Sequence, residues 1–106
     1  MKNKTIKALL EMGMPADIKG FRYITEIMCL YENDNKLVDG NLMGVYEAIA
    51  KQNDTTVSRV ERAIRHAFST VLENEDLESV KKYLDTPHRK NGVLLATLYY
   101  GLKMEE

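Results

Sequence analysis

The chain has 106 residues, 44% of them hydrophobic, which suits one domain with a real core and is too apolar for a disordered chain. Its formal charge of −1 excludes a uniformly basic protein, so any surface for a polyanion must come from local segregation of charge. A single cysteine, Cys29, excludes an intramolecular disulfide and fits a reducing compartment.

The first segment, MKNKTIKALLEMG, is too polar for a signal peptide. No apolar run approaches the roughly 20 residues of a membrane helix. The expectation is a cytoplasmic protein with no membrane association. Scarce proline, absent tryptophan and frequent leucine and methionine favour helices.

Ile6, Leu9, Leu10 and Met12 predict a first short helix that stops near Gly13 and Pro15. Asp17 is placed to cap a second, whose apolar positions are Ile18, Phe21, Ile24, Ile27, Met28 and Tyr31. The turn-rich residues Asn33, Asp34 and Asn35 end it. Leu42, Val45, Tyr46, Ile49 and Ala50 form the buried stripe of a third helix. Asn53, Asp54, Thr55 and Thr56 interrupt it with residues that tolerate left-handed backbone or cap a helix. A fourth helix runs from about Val57 to Leu72 or Glu73. Asn74 reads as the N-cap of a fifth, with Glu75, Asp76 and Glu78 in its first turn and Leu77, Val80 and Leu84 on its apolar side. A basic loop, Thr86 to Lys90, leads to a last helix with Leu94, Leu95, Leu98, Tyr99 and Leu102. No repeat and no strand pattern appears. The expected fold is all-α, a compact bundle of about six helices containing a helix-turn-helix.

The fourth helix separates its residues by chemistry. With Arg59 at zero and about 100° per residue, Val60, Ala63, Ile64, Ala67 and Val71 fall within roughly 40–140°. Ser58, Arg62, Arg65, His66 and Ser69 fall within roughly 240–340°, beside Arg59, and Glu61 lies between the two groups. Arginine donates two hydrogen bonds to guanine, and glutamate accepts from cytosine. Arginine and serine also hold phosphates. The third helix, the four-residue turn and this helix together have the layout of a helix-turn-helix whose second helix enters the major groove. A plainer reading is a solvated amphipathic face. Arginine rather than lysine favours recognition, because its planar fork matches bases and phosphates. Against it, Lys51, Arg59, Arg62 and Arg65 are opposed between Val45 and Thr70 by Glu47, Asp54 and Glu61. Ser58 and Glu61 also have capping-box spacing, although Thr55 or Thr56 could cap instead.

The stretches GMPADIKGFRYITEI and IAKQNDTTVSRVERAIRHAF resemble the C-terminal effector domain of the master response regulator of endospore formation. The run TTVSRVERAIRHA is close to that family's recognition-helix signature, and the resemblance extends over roughly 95 residues, through Asn91 and the apolar run after it. It implies a six-helix domain that binds double-stranded DNA at boxes with a TGTCGA-like core. It also implies pairing as a homodimer on tandem boxes and contact with RNA polymerase. Carried over by position, Ser58, Arg59, Glu61, Arg62 and Arg65 would read bases, with His66 at the rim of the groove. Lys19, Lys51, Thr55, Thr56, His66, Arg89 and Lys90 are the candidate phosphate contacts, and Arg22 is similar to Lys19. Asp17 and Asp54 depart from the family pattern, which has histidine and asparagine there. The tail from Tyr99 to Glu106 departs as well.

We expect one helix-turn-helix domain over residues 1–106, with no room for the family's receiver domain. The alternative is a protein-interaction module that modulates a full-length relative without binding DNA alone. Cys29, His66 and His88 match no zinc spacing, and the scattered glycines form no phosphate loop. No metal, cofactor or catalytic residue is expected, and the chain does not read as an enzyme. Cys29 is expected in the core, Tyr99 in the core and Tyr100 at its edge.

Overall fold

The helical periodicity becomes six α-helices and one 3-10 helix in the computed structural model of the chain, which describes residues 1–105. They are α1 (Lys2–Glu11), α2 (Lys19–Asn33), the 3-10 helix (Asn35–Asp39), α3 (Leu42–Gln52), α4 (Val57–Leu72), α5 (Glu78–Leu84) and α6 (Asn91–Lys103). No strand occurs among the described residues. The all-α class expected from the sequence is the class observed.

Local chemistry explains the boundaries. Gly13 closes α1 with φ 87, a left-handed conformation that glycine adopts without a Cβ clash. The Gly13 N–H then reaches the Leu10 carbonyl and the Met14 N–H reaches the Leu9 carbonyl, both at 3.0 Å, which satisfies carbonyls at the helix end. Met14 and Leu9 are both buried, the apolar contact that accompanies this closure. Asn41 caps α3 by accepting from the Gly44 N–H at 3.1 Å.

The core is built around α2, which packs on α1, α3, α4, α6 and the 3-10 helix. Ile24, Ile27 and Met28 are fully buried there, meeting Ile49, Ile64, Phe68, Leu94 and Leu95 from the other helices. The α2–α4 pairing is the most extensive. It depends on Gly20, where a methyl group would lie 2.5 Å from the Ala67 Cβ and still closer to the Ala63 carbonyl oxygen. Small residues at 20, 63 and 67 thus let the two helices touch nearly backbone to backbone.

Several boundaries differ from the sequence expectation. Ile18, not Asp17, precedes α2 as its N-cap, and no side chain caps that helix. Leu77, not Asn74, precedes α5. Asn74 instead accepts from the Leu77 N–H at 3.0 Å through its backbone carbonyl, making a turn. Of the three acidic residues, only Glu78 lies in the first turn of α5. Leu77 is therefore 43% exposed rather than part of the apolar stripe, and Leu10 at the end of α1 is 53% exposed. The stretch after α2 is ordered into the 3-10 helix, where the Asp34 carboxylate accepts from the Lys36 N–H. Cys29 is half-buried. Tyr99 is buried and Tyr100 lies at the edge, as expected.

Candidate nucleic-acid interface

The turn between α3 and α4 repeats the closure seen after α1, with aspartate in place of glycine. Asp54 has φ 51, a left-handed conformation that aspartate tolerates better than most residues. The Thr55 N–H then reaches the Ala50 carbonyl at 2.9 Å. The buried Ala50 side chain is small enough for this tight reversal. Asn53 ties the turn to the body: its Nδ2 donates to Glu26 Oε1 on α2 at 2.6 Å and to the Ile49 carbonyl at 2.9 Å. Thr56 then caps α4, its hydroxyl oxygen accepting from the Arg59 N–H at 3.2 Å. The cap uses an acceptor site, which leaves the Thr56 hydroxyl proton available for a further partner.

Helix α4 shows the two faces read from its periodicity. Val60, Ile64, Ala67 and Val71 are completely buried and Ala63 is half-buried. Ser58, Arg59, Arg62, Arg65, His66 and Ser69 are all exposed. Phe68, which the predicted stripe omitted, is also buried. It extends the core arc to roughly 180° on the same wheel, close beside Glu61.

Glu61 is not the partner in a capping box. Its carboxylate accepts from Arg65 Nη1 at 2.8 Å, one turn along the helix. The pair is exposed and so contributes little to stability, but it joins two of the candidate reading residues. Ser69 donates to the His66 carbonyl at 2.6 Å, which commits its proton to the backbone.

The remaining candidate contacts fall in several places around the interface. Lys19, Arg22, Thr55 and Arg59 line one open cleft of about 420 Å³, together with Asp17 and Asp54. This brings the start of α2, the turn and the first turn of α4 to a single surface with three cations against two carboxylates. Lys51 is exposed in the last turn of α3. Arg89 lies elsewhere, paired with Glu75 at 2.5 Å beyond the C-terminal end of α4, and exposed Lys90 is the N-cap of α6.

Asn91 received no role in the sequence reading, yet it is buried where three helices meet. Its Nδ2 donates to the Tyr46 hydroxyl on α3 at 3.1 Å and to the Glu61 carbonyl on α4 at 3.0 Å. Burial pushes the Tyr46 phenol above its ordinary range, and the bond from Asn91 partly offsets this. The only hint in the sequence was a polar residue opening an apolar helix.

Among the described residues, no group of three or more His, Cys, Asp or Glu side chains is placed to hold a metal ion. No helix there is long and apolar enough to cross a membrane. Residues 5–100 match the family described as the C-terminal domain of the sporulation initiation factor Spo0A. That family consists of DNA-binding effector domains of a sporulation regulator and is not a family of enzymes. Because the match covers all six helices nearly end to end, the chain belongs to the Spo0A C-terminal domain family.

Proposed function

We propose that the chain is a sequence-specific binder of double-stranded DNA that regulates transcription, with α4 in the major groove. The observation that carries this reading is the exposure of Ser58, Arg59, Arg62, Arg65 and His66 together on one side of α4, opposite its buried stripe. Arg59, Arg62 and Arg65 donate to guanine edges, and Ser58 supports them at the first turn. Glu61 accepts from cytosine and repels phosphate, so a misplaced register is penalised. Lys19, Lys51, Thr55, Thr56 and His66 orient the domain on the backbone. Arg89 and Lys90 reach phosphates further along the duplex, and Arg89 must first leave Glu75. Pairing on tandem boxes and contact with RNA polymerase are the further steps that family membership suggests.

A second reading is supported by the near balance of charge at the site. The pairing of Glu61 with Arg65 and the presence of Asp17 and Asp54 weaken attraction to a polyanion. In that case the chain associates with a full-length relative and binds DNA poorly alone. Fluorescence anisotropy separates the two. One duplex carries a TGTCGA-like box, the other a scrambled sequence, and both are titrated at several salt concentrations. The DNA-binding reading expects tight, salt-sensitive binding to the box and much weaker binding to the scrambled duplex. Equal or negligible binding to both would overturn it and leave the protein partner as the object of search.

A further inference from the structure

We propose that Asn91 is a positioning residue for base reading, setting the rotation of α4 so that Glu61 and Arg65 meet the bases. This rests on the DNA-binding function proposed above. Asn91 is the first residue of α6 and is buried. Its amide nitrogen has two protons, and both are used: one toward Tyr46 on α3, the other toward the backbone of Glu61 on α4. One short, planar group therefore joins the two helices of the helix-turn-helix to a third. Its acceptor on α4 belongs to the residue whose carboxylate holds Arg65. Among the described residues, the other side-chain hydrogen bonds of α4 are local: the Thr56 cap on the Arg59 N–H, and the bonds from Arg65 to Glu61, Ser69 to His66 and Thr70 to Ala67. They stiffen the helix without orienting it against its neighbours. The hydrophobic drive that buries the apolar face of α4 is non-directional. Close packing against α2 limits the rotation of α4, and within the play it leaves the directional bond from Asn91 selects one setting.

The geometry makes this orientation matter. Turning a helix by about 10° about its axis moves its side-chain surface by about 1 Å at a radius of 5–6 Å. A binding constellation works only within about 0.5 Å and 10–20° of its productive geometry. Loss of the Asn91 bond to Glu61 would therefore blur base contacts while leaving phosphate contacts, which are more tolerant, in place.

The test compares affinities of the whole chain for the box and scrambled duplexes across a salt titration, at a temperature where circular dichroism shows each variant folded. For Asn91→Ala, the ratio of the two affinities is expected to fall about tenfold, with the scrambled-duplex affinity and the salt slope unchanged. Tyr46→Phe, which keeps the Glu61 bond, is expected to hold the ratio within about twofold. Should Asn91→Ala fail to fold, Asn91→Ser, with a shorter donor, carries the same readout. An unchanged ratio would overturn the proposal, and so would an equal loss of affinity for both duplexes, which leaves the ratio where it was. A wild type with no preference for the box would overturn the DNA-binding reading and this role with it. A discriminating wild type beside an unaffected Asn91→Ala would overturn this role alone.

Discussion

Replacing Gly20 by alanine tests whether the α2–α4 contact sets the place of α4. The added methyl would sit 2.5 Å from the Ala67 Cβ and closer still to the Ala63 carbonyl oxygen, whereas carbon atoms rest comfortably at about 3.5–4.0 Å. The helices must therefore separate by about 1 Å, and the obstacles are a backbone oxygen and a Cβ atom, neither of which can swing aside. Overpacking of this kind costs about 1–3 kcal/mol, and a clash with backbone belongs at the upper end. Alanine's better helix propensity returns at most about 1 kcal/mol. The net expectation is a loss of about 2 kcal/mol, or a Tm lowered by about 8–16 °C for a domain of this size. Thermal and urea unfolding followed by circular dichroism measure it. The displaced α4 should also bind the box duplex more weakly at temperatures where the variant is folded. A Tm equal to or above that of the wild type would refute the reasoning, because it would mean that propensity outweighs the close approach.

Thr56→Ala removes the cap of α4 and should cost about 1 kcal/mol, read as a lower urea midpoint with an unchanged m value. Arg62→Ala should cost about 1–3 kcal/mol at the box and relax base preference there; unchanged affinity and preference would show that it reads no base. Lys19→Ala should weaken binding to box and scrambled duplexes alike and reduce the salt slope by about one, and a sequence-dependent loss would argue against a phosphate contact. Burial holds the Tyr31 phenol at about 12, above its ordinary 10. Because the folded pKa is the higher one, its contribution is complete below pH 10 and is lost as pH rises from 10 to 12. The unfolding free energy from urea titrations should therefore fall above pH 10, by at most about 1.4 kcal/mol per pH unit from this group, and Tyr31→Phe should lessen the fall.

Helix identity and the division of α4 were legible because both are periodic. A residue's angle on the wheel needs only its number, and Val60, Ile64 and Val71 took the buried side accordingly. The turn was legible for a related reason, since Asp54 and Thr56 carry their conformational preference in their own side chains. Caps were less legible. Asp17 and Asn74 had capping chemistry, but they lie two and four residues before the first residue of the helix that follows, and neither is the N-cap. Phe68 fell near the boundary of the two faces, and only the position of the neighbouring helices placed it in the core.

The sequence by itself determined the all-α class, the approximate span of each helix, and which side of α4 faces outward. These depend on interactions within about one helical turn and on the alternation of apolar and polar residues. Only the tertiary structure decided what meets α4 and the turn before it from elsewhere in the chain. Gly20 under Ala63 and Ala67, Asn53 on Glu26, Lys19 in one cleft with Arg59, and Asn91 between Tyr46 and Glu61 join residues 27 to 47 positions apart. Each depends on how close two helices come and at what rotation. That is settled by the packing of the whole core at once, a property that no local window of the sequence contains.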